Sequence, residues 1–346
     1  MFQDIKLEQL RELQQKQKIT LIDVRSPSEY KHSTIPGSIN IPVFSDEERS
    51  EVGTLYKQDS VEAAKERGLE IMSTKLPAFI QSFKNLPGTK VVYCWRGGMR
   101  SKTAATVVDL IGIPVYRLEG GIRSYRQWVV DSLEGLNFQP KAFLLNGYTG
   151  TGKTILLKQL EQEGYPILEL EGLANHRGSI FGQIGLEPNN QTTFDSLLME
   201  DILQVNQSPY VLFEAESKRI GKVMLPEFLL KKKEEGVQIF VNMPVEERVL
   251  NILDEYQPWE YHEECIRAFR LIKKRIHTPI AKKIEEHLLA ENYSNAIRLL
   301  LEYYYDPLYD HSRKEYAENK TITIDAKNAA DAANKIKEVL ASIYVG

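Results

Sequence analysis

The most constraining stretch of this chain is Gly147-Tyr148-Thr149-Gly150-Thr151-Gly152-Lys153-Thr154. It satisfies the spacing G-x-x-x-x-G-K-[ST], between an apolar run at 142–146 and a helix-compatible segment at 153–161. In that setting the glycines let backbone N–H groups close around phosphate oxygens. Lys153 then neutralises terminal phosphate charge, and Thr154 is the candidate magnesium ligand. A strand feeding such a loop belongs to a parallel α/β sheet, and its surroundings agree. Apolar runs at 210–213, 237–241 and 321–324 read as further strands, and 329–344 reads as a closing helix. Residues from about 245 to 305, rich in Glu, Lys, Leu and Tyr, read as a helical, partly basic insertion.

At 346 residues the chain is too long for one ordinary core, and its length suggests about two domains. Upstream of the loop, helical patterns at 7–17, 61–83, 101–110 and 121–133 alternate with strand-like runs at 19–24, 90–93 and 114–118. Such alternation predicts a second α/β domain with a mostly parallel sheet. The segment 134–140 reads as the connection, which gives domains 1–135 and 136–346.

No run of eighteen apolar residues occurs, and the N-terminus lacks the apolar core of a secretory signal. A cytoplasmic protein without a membrane association is expected. The two cysteines, Cys94 and Cys265, cannot build a disulfide framework, and no CxxC pair points to zinc. The net charge is −4, with 19 basic and 17 acidic residues in 1–135 and 25 basic and 31 acidic in 136–346. Nucleic-acid contact would therefore depend on local patches rather than bulk charge.

Cys94 ends a strand-like run and is followed by Trp95-Arg96-Gly97-Gly98-Met99-Arg100-Ser101 and a helical pattern. A loop between a strand and a helix N-terminus can turn its N–H groups inward as an anion cradle. The same field favours the thiolate form of a cysteine held there. Gly97 and Gly98 permit the positive φ angles of such a curl. Arg96 and Arg100 add charge, and Arg100 has the geometry for a bidentate grip on an oxyanion. Cys265 sits in helical Glu264-Cys265-Ile266-Arg267 and reads as a buried structural cysteine.

Asp23-Val24-Arg25-Ser26-Pro27-Ser28-Glu29-Tyr30 and Ile35-Pro36-Gly37-Ser38-Ile39-Asn40-Ile41-Pro42 resemble the opening signature of rhodanese-type sulfurtransferase domains. Gly120-Gly121-Ile122 resembles their closing signature, and Cys94 falls where their nucleophile belongs. Simple members of that group separate the nucleophile from the loop arginine by four residues. Here five stand between Cys94 and Arg100, as in the related rhodanese-fold phosphatases. The longer loop suits a tetrahedral, phosphate-like anion.

Further along, Val52-Gly53-Thr54-Leu55-Tyr56-Lys57-Gln58, the loop 94–101, Glu171-Gly172-Leu173-Ala174-Asn175-His176-Arg177-Gly178-Ser179 and Glu216-Ser217-Lys218-Arg219-Ile220-Gly221 together resemble the tRNA 2-selenouridine synthase family. That resemblance implies a rhodanese-like α/β domain joined to a P-loop NTPase-like α/β domain. It implies replacement of sulfur by selenium at C2 of wobble 2-thiouridine in the tRNAs for Lys, Glu and Gln. The selenium donor would be selenophosphate, delivered by a selenophosphate-producing enzyme. An S-geranyl-2-thiouridine intermediate would be made first from geranyl diphosphate, with no tightly bound cofactor. Cys94 and its loop would serve selenation, Cys94 acting as covalent selenium carrier or as organiser of the anion. Lys153 and its loop would serve geranyl transfer.

Other residues carry less specific signals. Val211-Leu212-Phe213-Glu214-Ala215-Glu216 resembles a Walker B strand with Glu in place of Asp; its plain alternative is an exposed strand end. His176 and Arg177, read as a loop after a strand, are candidate substrate contacts, as are Glu214, Glu216 and Arg219. For tRNA, spacings of three and four place Arg267, Arg270 and Lys274 on one helical face opposite Phe269, Ile272 and Ile276, with Arg275 beside them. A solvated helix face is the alternative. Tyr303, Tyr304, Tyr305 and Tyr309 could stack on bases, but half-buried core positions are the favoured reading. Two other readings remain open on the residues alone. One is a bifunctional rhodanese-fold phosphatase with a P-loop kinase domain; the other is a regulatory module pairing a nucleotide switch with a redox sensor.

Overall fold

The computed structural model describes residues 2–308 and 320–344. Contacts divide the chain into two compact units, residues 1–135 with 195–197, and the remainder. Each unit is a mixed α/β structure around a five-stranded parallel sheet. No described helix is long and apolar enough to cross a membrane.

In the first unit the strands are β1 (Gln3–Ile5), β2 (Ile19–Asp23), β3 (Ile39–Asn40), β4 (Thr89–Tyr93) and β5 (Val115–Leu118), in the order β1-β5-β4-β2-β3. All four pairings are parallel. Parallel strands covered by helices on both faces read as continuous apolar runs, and the buried Leu21, Ile22, Val91 and Val92 fit that rule. Helices Val61–Lys84 and Met99–Leu110 pack Ile71, Phe79, Phe83, Ala104 and Val108 against Ile22 and Val92 on one face of this sheet.

The second unit contains β6 (Lys141–Gly147), β7 (Ile167–Leu168), β8 (Tyr210–Glu214), β11 (Val237–Asn242) and β12 (Thr321–Asp325), plus an antiparallel pair, β9 (Arg219–Ile220) and β10 (Val223–Met224). The sheet order is β12-β11-β6-β8-β7, again all parallel. β6 is central, so the loop that leaves it emerges at the carboxyl end of the sheet, between strands that continue on either side. That is where open α/β sheets hold ligands. Helices Lys153–Gln162 and Ala329–Tyr344 pack Leu156, Leu160, Ala332 and Ile336 onto this sheet. Helices between Val245 and Leu300 form a separate apolar cluster around Phe269, Ile284 and Ala296.

Candidate functional site

The cysteine loop is held by backbone hydrogen bonds to the next helix. The Cys94 carbonyl accepts from Ile122 N at 2.9 Å and that of Trp95 from Arg123 N at 3.1 Å, tying the loop to the start of helix Gly121–Glu134. Gly121 has φ +58°, and a Cβ there would lie 2.2 Å from the Cys94 carbonyl oxygen, so no side chain fits. Gly97 takes the left-handed conformation at φ +66°, whereas Gly98 does not, having φ −87° as the helix N-cap. Only one of the two glycines thus supplies the curl. Among the described residues, none of the backbone N–H groups from Trp95 to Ser101 meets an acceptor within the chain. That leaves a donor-rich rim at the N-terminus of Met99–Leu110.

Cys94 is buried, with its Sγ 3.2 Å from Ser101 Oγ. Arg96 is exposed. Arg100 does not face an open cradle; both of its terminal nitrogens bond the carboxylate of Glu29, NH2 donating to Oε1 at 3.1 Å. The bidentate grip expected on an oxyanion is thus occupied by Glu29. Burial pushes the Glu29 carboxyl up, but Arg100, with Arg49 beyond it, outweighs this and holds it below the usual range. Arg117 donates to Gly97 O at 2.9 Å while paired with Asp4, and so anchors the far side of the loop.

The opening signature at 23–42 turns out to be a brace. Arg25, 1% exposed, bonds the fully buried Asp23 carboxylate and the Ser33 carbonyl. Tyr93, one residue before Cys94, exchanges hydroxyl bonds with Thr34 at 2.6 Å and Ser38 at 2.8 Å and accepts from Ile35 N. The end of β4 is thereby fixed where Cys94 begins.

The phosphate loop has the expected strand-loop-helix form. Gly150 and Gly152 have φ +84° and +72°, and a Cβ on Gly147 would lie 2.7 Å from Val241 O. Lys153 Nζ curls back to Gly147 O at 3.4 Å. Residues outside the motif hold the loop. Arg248, 2% exposed, donates Nε–H to Thr149 O at 2.8 Å, pairs with Asp306, and lies over the Tyr148 ring; Asn251 donates to Gly150 O at 2.9 Å. Neither has a signature in sequence, because each acts by its place on a separate helix, Val245–Tyr256.

A polar cavity of about 240 Å³ opens at Lys153 and Thr154, and Glu171, Arg177, Glu216 and Glu255 line it. Thr154 Oγ1 donates to Glu171 Oε2 at 3.0 Å. Burial, reinforced by Glu216, pushes the Glu171 carboxyl up to about 8. Burial also raises Glu255, against the pull of Arg177, which bonds it at 3.1 Å. Beside this cavity runs a narrow apolar slot lined by Phe181, Cys265, Leu288, Ile297 and Leu300. Thr149, Ser179, Ile252, Tyr256 and Tyr305 line both spaces.

Other candidates fall differently from expectation. Glu214 is no exposed strand end; it is fully buried, accepts from Leu170 N at 2.9 Å, and leaves Oε1 without a partner among the described residues. Glu216 does reach the cavity. His176 and Arg177 follow the short helix Leu170–Ala174 rather than a strand. His176 is half-buried against Gly221, its Nδ1 unpartnered among the described residues, and burial lowers its pKa. Arg177 is tied to Glu255 and lies over Tyr256, so it shapes the cavity wall. Arg219 is exposed and bonds the Gly221 carbonyl, outside the cavity.

The basic face is shorter than its spacing suggested. The helix ends at Ile272, and Lys274 and Arg275 lie in a 3₁₀ turn, Lys273–Arg275, because the chain must redirect before Pro279. Arg267, Arg270, Lys274 and Arg275 are nevertheless all exposed, and none forms an ion pair among the described residues. Cys265 is buried, and burial pushes its thiol up to about 11. Tyr304 and Tyr305 pack on the helical cluster, while Tyr303 is exposed; Tyr309 lies outside the described residues.

A family model for the AAA domain of tRNA 2-selenouridine synthase matches residues 140–339, and a rhodanese-like domain model matches 6–127. The chain belongs to the tRNA 2-selenouridine synthase family. Among curated members, that of Sulfurovum sp. (strain NBC37-1) is 33% identical over 324 residues, covering 84% of this chain and 88% of its own. The synthase of Hydrogenovibrio crunogenus is 33% identical over 348 residues, 91% of this chain and 93% of that one. That of Psychromonas ingrahamii is 30% identical over 332 residues, covering 87% and 90%. A rhodanese domain at the N-terminus and a P-loop domain at the C-terminus are thus common to sequence, structure and family.

Proposed function

We propose that this protein is a tRNA 2-selenouridine synthase that works as two transferases in sequence, in the cytoplasm. Its family supports the tRNA base as substrate, and the two loops divide the chemistry. In the first step the sulfur of wobble 2-thiouridine, in the tRNAs for Lys, Glu and Gln, attacks C1 of geranyl diphosphate. A C–S bond forms, diphosphate leaves, and the base loses its N3 proton. In the second step selenium of selenophosphate, supplied by a partner enzyme, adds at C2. The C2–S bond breaks, geranylthiol departs, and water takes the phosphoryl group from selenium. Alkylation has turned a poor leaving sulfur into a neutral thiol.

The observation that carries this reading is the shared wall between the polar cavity and the apolar slot. A prenyl diphosphate would use both spaces, its diphosphate in the polar cavity and its tail directed to the slot at Phe181, Leu288 and Ile297. Lys153 and the loop N–H groups would receive the diphosphate and stabilise its departing charge. Magnesium fits here: Thr154 and Glu171 offer hard oxygen donors, with Glu216 lining the same cavity. Among the described residues no group of three or more His, Cys, Asp or Glu could hold a metal. One or two protein oxygens completed by phosphate and water is the usual magnesium arrangement; when bound, the ion would neutralise diphosphate charge. In the first unit, Cys94 and the N–H rim of 95–101 would receive selenophosphate, with Arg100 turning from Glu29 to the incoming anion. Arg267, Arg270, Lys274 and Arg275 would contact tRNA phosphates.

The test uses purified protein and an anticodon stem-loop RNA carrying 2-thiouridine, with nucleosides read by mass spectrometry. Geranyl diphosphate alone should yield S-geranyl-2-thiouridine, and later addition of selenophosphate should convert it to 2-selenouridine. Formation of 2-selenouridine at full rate without any prenyl diphosphate would overturn the reading.

A further inference from the structure

The segment Val52–Gln58 lies outside both loops. It ends the helix Asp46–Gln58, and Val52 and Tyr56, one turn apart, line a cavity of about 370 Å³ in the first unit. Leu69 and Met72 of helix Val61–Lys84 line it as well, and Met99 and Arg100 bring it to the cysteine loop. Its interior is apolar, with Val43 and Phe44 buried. Its mouth is apolar too: Tyr56 is 61% exposed, Leu69 68% and Met99 59%. Lys65 and Arg100 are the charged side chains in its lining. The size lies within the range of small-molecule sites, roughly 300–1,000 Å³. Three large apolar side chains left at one mouth mark a surface that something apolar covers.

We propose that this groove is a second prenyl site, which holds the geranyl tail of the S-geranylated base while its C2 atom meets Cys94 and selenophosphate. The inference rests on the two-step reading above. Covalent geometry commits the occupant. The tail is joined to C2 through a single sulfur atom, so it starts within two bonds of the reacting carbon. Met99 and Arg100 belong at once to the loop that starts at Cys94 and to the groove lining. A base seated at the cysteine loop therefore has its tail at the groove entrance, where the alternative is water. Met99, unbranched and adaptable, suits a flexible isoprenoid chain. The groove also gives the reaction its order. An unmodified 2-thiouridine has no tail to fill it, so the alkylated base is held preferentially and selenium meets the base only after its sulfur has become a leaving group.

The experiment uses full-length protein, selenophosphate, and stem-loop RNAs carrying either S-geranyl- or S-methyl-2-thiouridine. The unaltered protein should show a KM for the S-geranyl RNA ~tenfold or more below that for the S-methyl RNA, as expected from a few buried methylenes. Leu69→Glu and Tyr56→Ser alter exposed side chains and leave the core intact. Each should raise KM for the S-geranyl RNA about tenfold and shift that for the S-methyl RNA less than about twofold. Geranyl transfer from geranyl diphosphate to 2-thiouridine RNA, performed at the other unit, checks that each variant is folded. Unchanged KM values in both variants, or equal KM values for the two RNAs in the unaltered protein, overturn the groove and leave the two-step reading standing. Selenation of 2-thiouridine RNA but of neither alkylated RNA overturns the two-step reading, and the groove with it.

Discussion

Arg248 is the residue on which the shape of the phosphate loop depends, although it lies outside the motif. Its guanidinium donates to Thr149 O at 2.8 Å, to Asp306 at 3.0 and 2.5 Å, and lies 5.0 Å from the Tyr148 ring centroid. Arg248→Met keeps the packing volume and removes all of these. Breaking a buried pair by deleting one partner costs about 3–5 kcal/mol. The Asp306 side chain is 22% exposed and regains some water, which points to the low end. The Thr149 carbonyl loses a charge-assisted bond, about 1.5 kcal/mol or more, part of which that range already contains. The expected loss is about 3 kcal/mol of local stability. With two units in the chain, one unfolding curve would mix transitions. Hydrogen exchange of amides in β6 and helix Lys153–Gln162 is the better assay. Exchange there should speed up roughly a hundredfold, at 1.4 kcal/mol per factor of ten, with the first unit unaffected. Inorganic diphosphate should bind about tenfold more weakly as the loop loses its brace. Protection within about threefold of the parent would refute the claim that Arg248 sustains the loop.

Three further predictions concern the two loops. Ile297 lines the apolar slot but not the polar cavity; Ile297→Phe should raise KM for geranyl diphosphate severalfold by overfilling the slot while leaving inhibition by inorganic diphosphate unchanged. The Glu171 carboxyl, raised to about 8, is mostly protonated at neutral pH and gains its charge as pH rises through that value. Without magnesium, diphosphate affinity relative to that of Glu171→Gln should therefore fall between about pH 7 and 9, as titration calorimetry of the two proteins side by side would show. Gly121→Ala places a Cβ 2.2 Å from the Cys94 carbonyl at φ +58°. Backbone strain of order 1–3 kcal/mol should displace the cysteine loop, which selenation of a pre-geranylated RNA would register as a loss of at least about tenfold with geranyl transfer intact.

Much of the fold was legible because long apolar runs and strong breakers mark its main elements. Residues 61–83, 153–161 and 329–344 match observed helices within a residue or so, and the central strands β2, β4, β6, β8 and β11 coincide with their apolar runs. Three of the four edge strands were not legible. β1, β3 and β7 have two or three residues each, too few to show a period, and their pairing depends on neighbours distant in sequence. Helix Gln191–Val205 escaped because apolar residues such as Phe194, Leu198, Met199 and Ile202 are mixed with polar ones without a clear stripe.

In the site, the loops announced themselves through glycine and charge at fixed spacing. Their supports did not. Glu29 on Arg100, Arg117 on Gly97, and Arg248 and Asn251 on the phosphate loop act across 20 to 101 residues of sequence. Glu29 and Glu171 lay within stretches already singled out, but their roles emerged only from contact with Arg100 and from burial beside Thr154. The basic face over-reached for a related reason: helical spacing was extended past Ile272, where the helix gives way to the 3₁₀ turn.

The division of labour between Cys94 and Lys153 is the central claim, and one measurement tests it most directly. Cys94→Ser and Lys153→Ala proteins are each incubated with 2-thiouridine RNA, geranyl diphosphate and selenophosphate, and wobble nucleosides are identified by mass spectrometry. Cys94→Ser should accumulate S-geranyl-2-thiouridine without selenium, and Lys153→Ala should leave 2-thiouridine unchanged yet still selenate RNA supplied already geranylated. Full selenation by Cys94→Ser, or undiminished geranyl transfer by Lys153→Ala, would contradict the account.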